Sequence, residues 1–541
     1  MPSWEESVKT KRAELQAAVD ALGYEKVRKV EEGKKDVTGI AKEMLDEGEL
    51  EVTESDIDTL LSKLSTQEWT SEKVTRAFLH RAVIAHELTN CLTDIFAEDA
   101  IARAKHLDAE FKKTGKSTGA LHGLPISLKC QIDVEGKEIN MGYVGWIGRK
   151  AKKNSVLVDL LLKQGAVVYC LTNVPQALMS GETINNLYGR TVMPHNRDLS
   201  SGGSSGGEGA LIAMRGSPLG VGSDIGGSIR IPAGFNGLYG LRPSYHRIPY
   251  GGATNSMEGF EAINSVLGPM STSVSALKIF VKAVLAGEPW RYDPNASHRP
   301  WSEPQYKLEE HNGGKQLCFG MMWSDGLVTP TPPIIRGMKI MKEKLEAQGH
   351  TVVDYTPPDA DAGRQIVTAL FEADGGRDIA DSVALSGEPN LNGILSADAK
   401  ELSTYEYWQL CLRRKLFITQ QLNAWEATAE LTGTGRPVDA LIAPIAPYTS
   451  FTHDSQQYIG YTGMFNMTDQ SVGIVPVTKV TKDDKQIEAH EFKCDFDKIN
   501  YERYDPEVFI DAPVSLQIVG RKGEEEAVLA LTELCDAALK A

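Results

Sequence analysis

Two glycine-rich segments decide the fold of this chain: Gly202-Gly203-Ser204-Ser205-Gly206-Gly207-Glu208 and Asp224-Ile225-Gly226-Gly227-Ser228-Ile229-Arg230. Glycine reaches backbone conformations that other residues avoid, and it lets the chain approach a ligand closely. The two segments could therefore bring Ser204 and Ser228 together beside a row of backbone N–H groups. Acyl transfer needs this combination of a nucleophile, a proton relay and an oxyanion hole.

Two common functions of glycine-rich loops do not fit these segments. A phosphate-binding P-loop requires Lys and then Ser or Thr after its last glycine, whereas Glu208 follows Gly207 and would repel phosphate. A dinucleotide-binding loop requires G-x-G-x-x-G, and the glycines at 220, 222 and 226 are spaced one residue too far apart.

A third interpretation places the nucleophile at Ser205. Residues 203–207 fit G-x-S-x-G, the nucleophile elbow of α/β-hydrolases, but that elbow follows a buried strand. Residues 195–201 are polar and make a poor strand. A flexible Gly/Ser linker is disfavoured as well, because the apolar segment 210–214 follows directly.

The composition indicates a large acidic protein. The chain has 541 residues, 41% of them hydrophobic, which is ample for a large core. Its formal net charge of −16 disfavours nucleic acid and anionic membranes as partners. Seven cysteines without a CxxC pair suit a reducing compartment, and no apolar leader or membrane span is visible. We therefore expect a cytoplasmic protein.

No metal or cofactor is expected. The eleven histidines include no HExxH or comparable spacing, so the sequence predicts no metal site. No cofactor-binding loop remains after the two exclusions above.

Strand and helix patterns alternate along most of the chain, which predicts an α/β layered sheet. Residues 1–70 are rich in Lys and Glu and predict a helical region that packs on a main domain of residues 71–541. Thr70 is predicted to cap a helix. The further predicted elements are a strand with two unlike faces at 124–128, a helix at 156–162, a strand at 166–171, a helix at 334–348, strands at 351–353 and 439–443, and a C-terminal helix around 528–534.

Six ordered motifs resemble the amidase signature family of serine hydrolases, and within it fungal acetamidase-type and general amidases. They span roughly residues 75–535 and are Leu121–Lys129, Thr172–Gln176, Gly202–Glu208, Asp224–Arg230, Gly240–Pro243 and Val514–Gly520. The resemblance implies a single large α/β/α domain around a mixed sheet.

The resemblance also implies roles for individual residues. Lys129 is similar to the family's catalytic lysine, Ser204 to its bridging serine after a cis peptide bond, and Ser228 to its nucleophile. The remaining implied roles are the oxyanion hole formed by the N–H groups of Ile225, Gly226, Gly227 and Ser228, the substrate-binding residues Leu178 and Ser204, and the supporting residues Ser205, Asp224 and Arg230.

The chemistry of these residue types agrees with the implied roles. A serine hydroxyl needs a base before it can attack, and lysine is a base only when burial has lowered its pKa. Ser204 could accept a proton from Ser228 and pass one to Lys129, the Ser-Lys variant of the triad. Many family members carry an acid after the lysine, whereas this chain has Cys130, which we expect to be a buried structural thiol.

The predicted function is therefore hydrolysis of small carboxamides to a carboxylate and ammonia. A carbamate ester such as urethane presents the same amino-carbonyl unit, so urethanase or esterase activity is the close alternative. An amidotransferase subunit and an inactive hydrolase scaffold are the remaining alternatives. The expected partner is a small amide or carbamate. The oligomeric state is not evident from the sequence, and the resemblance suggests a homodimer.

Overall fold

An eleven-stranded mixed sheet forms the centre of the protein in a computed structural model, which describes residues 3–27, 30–31, 33–391, 399–455 and 457–541. The sheet order is β1-β3-β2-β6-β8-β7-β12-β13-β11-β9-β10, and β4 and β5 form a separate hairpin. The strands are β1 Leu92–Ile95, β2 Pro125–Lys129, β3 Val167–Thr172, β4 Ile184–Asn185, β5 Gly189–Arg190, β6 Leu219–Asp224, β7 Tyr239–Arg242, β8 Val266–Ser271, β9 Cys318–Met321, β10 Thr351–Asp354, β11 Ala440–Pro444, β12 Val472–Lys479 and β13 Pro513–Val519.

Helices flank this sheet, which confirms the predicted α/β/α class with a helical N-terminal region. They are α1 Trp4–Asp20, α2 Ala41–Met44, α3 Glu47–Glu54, α4 Ile57–Ser65, α5 Ser71–Thr89, α6 Ala97–Thr114, α7 Val156–Lys163, α8 Gly206–Ala213, α9 Arg230–Phe235, α10 Val274–Ala286, α11 Glu303–Tyr306, α12 Pro332–Ala347, α13 Ala360–Phe371, α14 Arg377–Ala384, α15 Thr404–Ala427, α16 Ala429–Thr432, α17 Gly460–Met467, α18 Asp495–Arg503 and α19 Glu525–Lys540. None of the helices in the described residues has the length and apolar character that crossing a membrane requires.

Three neighbouring strands place the ends of two predicted motifs side by side. Strand β2 pairs in parallel with both β3 and β6. The carboxyl ends of parallel strands meet at one edge of a sheet, which is where open α/β sheets bind ligands. Lys129 is the last residue of β2 and Asp224 the last of β6, so both lie at this edge.

Most element predictions are confirmed, with one correction in β2. Helix α5 begins at Ser71, and the Thr70 side chain accepts the Lys73 N–H at 3.1 Å, as the cap prediction required. Strand β2 is not two-faced, since all five of its residues are buried. Parallel strands covered by helices on both sides bury both faces.

The N-terminal helices pack on the rest of the protein. Val8 and Val19 of α1 are buried in one apolar cluster with Leu79 of α5. The Arg12 guanidinium donates from Nε to the Leu187 carbonyl at 2.8 Å. The domain boundary at residue 70 stays a prediction.

Candidate active site

A cavity of about 630 Å³ opens beside the segment 224–230. Ser228 lines it together with Gly203, Ile225 and Gly226, and the Ser228 residue is 9% exposed. The other walls include apolar side chains at Leu178, Ile231, Met257, Phe371, Ile459 and Phe496. Charged side chains, among them Arg364, Glu372 and Asp374, line it as well. The cavity therefore joins both glycine-rich segments to a chamber whose walls are partly apolar and partly charged.

Leu178 lines the cavity, and its role in substrate binding stays a prediction. Met179, which follows it, lines the cavity as well. Three aromatic residues of the described chain are not among the lining residues: Tyr143, Trp146 and Tyr461. The hydroxyl of Tyr143 is hydrogen-bonded to Ser256, and that of Tyr461 donates to the Val328 carbonyl.

The Asp224 carboxylate holds the loop that follows β6. It accepts the backbone N–H of Gly227 at 2.8 Å and that of Ile229 at 3.1 Å. The Arg230 guanidinium donates to it from Nε and from Nη2, both at 3.0 Å. This two-point pairing of a carboxylate with arginine fixes geometry as well as charge, so the loop 225–229 is pinned at both ends.

The Asp224–Arg230 ion pair is buried, and both side chains have further hydrogen-bond partners. Arg230 Nη1 donates to the Thr462 carbonyl at 3.1 Å and to Gln517 Oε1 at 3.2 Å. Burial alone would raise the pKa of Asp224, but Arg230 and the hydrogen bonds outweigh it and hold that pKa well below its usual range. Asp224 is therefore a permanent anion under the loop.

The loop presents three backbone N–H groups that have no acceptor in the described part of the chain: those of Ile225, Gly226 and Ser228. The fourth predicted oxyanion donor differs from the prediction, because the Gly227 N–H is already donated to Asp224. Gly227 instead provides the turn: its φ is +131°, and a Cβ there would lie 2.5 Å from Thr462 Oγ1.

Lys129 is completely buried at the end of β2. Its Nζ donates to Ser204 Oγ at 2.6 Å and to Ser223 Oγ at 2.8 Å. Burial lowers the pKa of Lys129 to about 7, against the opposing effect of the negative charges of Asp224 and Glu208. A substantial fraction of the amine is thus neutral at neutral pH.

Ser204 follows a cis peptide bond from Gly203, as the family resemblance implied. Gly203 is needed there because a Cβ would lie 2.4 Å from the Ser180 carbonyl oxygen. Ser228 Oγ forms no hydrogen bond within the described residues, so its hydroxyl is available to a molecule in the cavity.

The elbow interpretation of Ser205 is not supported. Residues 195–204 contain no strand, and Ser205 is buried just before α8. Its Oγ accepts the Ser223 N–H at 3.3 Å and donates to the Ser223 carbonyl at 3.4 Å. The Ser205 side chain is therefore hydrogen-bonded to the backbone of β6, and its supporting role in catalysis stays a prediction.

Cys130 also matches its structural interpretation. It is buried, and burial raises the pKa of its thiol. Its Sγ lies 3.8 Å from Asn140 Oδ1. His122, the histidine nearest to it in sequence, is bonded elsewhere, since its Nδ1 accepts the Thr118 N–H at 3.2 Å. Neither residue lines the cavity. No group of three or more His, Cys, Asp or Glu side chains gathers as a metal site in the described ranges.

Sequence reasoning missed three buried polar residues behind the site: Ser223, Gln131 and Glu208. Glu208 accepts Ser127 Oγ–H at 2.6 Å and Thr172 Oγ1–H at 2.9 Å, and burial raises its pKa to about 8. Glu208 was noticed only as the residue that excludes a P-loop. A polar residue inside an otherwise apolar helix such as α8 was the available signal.

Comparisons with known proteins were made by sequence and by structure. The family model described as Amidase matches residues 73–529. An acetamidase of Emericella nidulans is 42% identical over 98% of this chain and 97% of its own, and one of Aspergillus oryzae is 41% identical over 98% of each. A solved structure of fatty acid amide hydrolase superposes with a TM-score of 0.89 at 30% identity, covering 99% of this chain and 95% of that one.

Proposed function

The chain belongs to the amidase signature family and is an amidase-type hydrolase of C–N bonds, and we propose that it hydrolyses small carboxamides through an acyl-enzyme on Ser228. The family membership confirms the resemblance that the six motifs indicated. The observation that carries the proposal is the position of Ser228: it lines the cavity together with Gly203, whose neighbour Ser204 contacts Lys129. It also belongs to the loop whose N–H groups at 225, 226 and 228 have no acceptor in the described residues.

In the first half-reaction, Ser228 Oγ attacks the amide carbon. Ser204 accepts the proton of Ser228 as its own proton passes to neutral Lys129, whose pKa of about 7 suits a base near neutrality. This step requires the Ser228 hydroxyl to turn towards Ser204 once substrate is bound. Catalytic hydrogen bonds often tighten only in that complex.

The tetrahedral intermediate then needs stabilisation of its oxyanion. The N–H groups of Ile225, Gly226 and Ser228 are the proposed donors to it, because no acceptor in the described ranges competes for them. As the C–N bond breaks, the proton held by Lys129 returns through Ser204 to the leaving nitrogen. Ammonia departs and leaves an ester on Ser228.

In the second half-reaction, water attacks the ester carbon. The same Ser204–Lys129 pair takes the proton of the water, and Ser228 Oγ receives one as the acyl–oxygen bond breaks. The products are a carboxylic acid, which ionises, and the original enzyme. No cofactor is needed for either half-reaction.

The substrate is proposed to carry an apolar acyl group. Acetamide has the bulk of roughly three water molecules, about 100 Å³ at the volume of water in the liquid. The cavity of about 630 Å³ leaves room for considerably more, and Phe371 and Met257 offer apolar walls. The acetamidase relatives support a small amide, and the larger chamber favours acyl groups of several carbons within that class.

Ammonia release from a substrate panel tests the proposal. The purified chain is assayed with acetamide, hexanamide, benzamide, an anilide and ethyl carbamate, with Ser228→Ala as the control. Turnover of primary amides that Ser228→Ala loses is the expected result. Preference for ethyl carbamate over every amide would favour the carbamate alternative. An amidotransferase subunit would release ammonia from none of these substrates without its partner.

A further inference from the structure

We propose that Gln131 is a positioning residue that acts through Ser223 to fix how Lys129 presents its amine to Ser204. The inference rests on the proposed function, in which neutral Lys129 is the base. It is carried by a chain of buried hydrogen bonds that runs from Lys129 Nζ through Ser223 Oγ to Gln131 Oε1. All three side chains are buried.

The orientation of the Gln131 amide is determined by its neighbours. Its Nε2 lies 2.9 Å from the Thr254 carbonyl oxygen, which can only accept a hydrogen bond. Nε2 also donates to Asn255 Oδ1 at 3.1 Å and contacts Tyr250 Oη at 3.2 Å. The nitrogen therefore faces residues 250–255, and Oε1 faces Ser223.

This orientation decides the direction of the Ser223 hydroxyl. Gln131 Oε1 has no hydrogen to give, so Ser223 must donate its one proton to it. Only oxygen lone pairs are then left on the side of Ser223 that faces Lys129. Ser223 can accept an N–H from Lys129, but it cannot donate to the amine.

The consequence concerns the lone pair of neutral Lys129. A neutral amine has two N–H bonds and one lone pair, and one N–H is committed to Ser223 at 2.8 Å. Ser223 cannot compete for the lone pair, which leaves it to the proton of Ser204 at 2.6 Å. The titratable groups that influence this amine are Asp224 and Glu208, and neither accepts a hydrogen bond from it.

A double-mutant cycle tests the proposal. Ser223→Ala removes the acceptor, and Gln131→Leu removes the amide while keeping a similar shape. Each is expected to lower kcat by roughly 10–100-fold, since a misdirected catalytic group costs about that much, with KM nearly unchanged because neither residue lines the cavity. If Gln131 acts through Ser223, the double variant loses no more than the worse single variant.

Two further variants separate positioning from structural support. Ser223→Thr keeps a hydroxyl group on Cβ of residue 223 and should retain most of kcat. Tyr250→Phe removes a neighbour of Gln131 Nε2 without touching Ser223, and should leave kcat unchanged. Melting curves of all variants show whether each is folded.

Three results would overturn the proposal: losses that multiply in the double variant, a Gln131→Leu enzyme with wild-type kcat, or a Tyr250→Phe loss equal to that of Gln131→Leu.

Labelling of Ser228 by a fluorophosphonate reports on the same activated hydroxyl without an amide. If the wild-type enzyme reacts with the fluorophosphonate but hydrolyses no amide, the proposed substrate class is refuted. The double-mutant cycle can then still be measured, with labelling rates in place of kcat. One that neither labels nor hydrolyses refutes both proposals.

Discussion

Lys129 Nζ lies 2.6 Å from Ser204 Oγ, although the two residues belong to different structural elements. Lys129 ends β2 in the middle of the sheet, whereas Ser204 follows the cis bond in the glycine-rich segment before α8. Both side chains are buried. The amine is thus buried against one serine, and Gly203, the residue before that serine, lines the same cavity as Ser228. From this arrangement we predict the following outcomes.

Replacing the two serines of the glycine-rich segments should have unequal effects. Ser228→Ala is expected to abolish turnover, because it removes the attacking oxygen and little volume, and to leave the melting temperature nearly unchanged. Ser205→Ala should reduce activity less, since within the described residues the Ser205 side chain is hydrogen-bonded only to the backbone of Ser223. Ammonia assays and melting curves on both variants measure this. An inactive Ser205→Ala beside an active Ser228→Ala would instead favour the elbow mechanism.

The rate should depend on pH through Lys129. The neutral amine is the active form, so kcat/KM is expected to rise with pH through a value near 7 and to fall about tenfold per unit below it. Lys129→Ala should cut the rate by roughly 10²–10⁴-fold, the usual contribution of a general base. Any remaining activity should no longer fall at low pH in this way.

Histidine variants are the controls for this profile. Burial lowers the pKa of His122, and it lowers that of His195 to about 4, so the titration of neither should cause the rise of kcat/KM near pH 7. Replacing either histidine with Asn should leave that rise in place. An inactive histidine variant, together with a Lys129→Ala enzyme that keeps a near wild-type rate and pH profile, would contradict the Ser-Ser-Lys assignment.

The sequence indicated candidate residues for the site but not the walls of the cavity around them, and the reason is physical. Lys129, Ser204 and Ser228 lie in motifs whose glycines and strand ends are local features. The conformations that such residues allow can be read from short segments. The cavity walls come instead from α13, from the segment around Met257 and from α18, which are far apart in sequence. Their meeting depends on tertiary packing that no local pattern encodes.

Polar residues behind the site were missed for a different reason. Ser223 lies in β6 and Gln131 lies two residues after the end of β2, and both side chains are uncharged. Their roles depend on which atoms face each other across β2 and β6. The sequence did not show, for the same reason, that the Gly227 N–H donates to the Asp224 carboxylate. Cytoplasmic location and a homodimer stay predictions.

Breaking the Asp224–Arg230 pair should affect both stability and chemistry. Asp224→Asn leaves the Arg230 guanidinium buried without a counter-charge, which typically costs about 3–5 kcal/mol in the free energy of unfolding. It also loosens the loop that carries the oxyanion donors, so kcat per folded molecule should fall at least about 100-fold.

A second buried pair provides the matched control. Asp469 accepts from the Arg242 guanidinium at 2.9 Å and from the Tyr245 N–H at 3.0 Å, but it does not line the cavity. Asp469→Asn should lower stability similarly and leave kcat near wild type. Urea unfolding and active-site titration measure the two quantities. Equal kcat losses in both variants would show that Asp224 acts only through stability.

Removal of metal should leave the activity unchanged. The histidine and cysteine spacings offer no metal-binding motif, and the proposed base is an amine. We expect the same rate before and after dialysis against EDTA, and no stimulation by added zinc. Loss of activity on dialysis that zinc restores would refute this prediction.

The length of the acyl chain should control kcat/KM. Each methylene that moves from water to the apolar cavity wall contributes about 0.8 kcal/mol, or roughly fourfold in kcat/KM. From acetamide to hexanamide we therefore expect a steady rise while the cavity of about 630 Å³ has room. A flat series, or a fall beyond propanamide, would contradict an apolar acyl chamber.

Phe371 tests whether the cavity is responsible for this rise. Its ring lies within 4 Å of the position that a Cβ on Gly226 would take, so an acyl chain leaving the reacting carbon can contact it. Phe371→Ala should lower kcat/KM for hexanamide by about 10-fold or more and hardly change that for acetamide, because the short substrate ends before the ring. Phe492 is the matched control, since it packs against His490 and Tyr501 outside the cavity. Phe492→Ala should keep the wild-type slope, and an equal loss of slope in both variants would mean that general loosening, not the chamber wall, sets the preference for chain length.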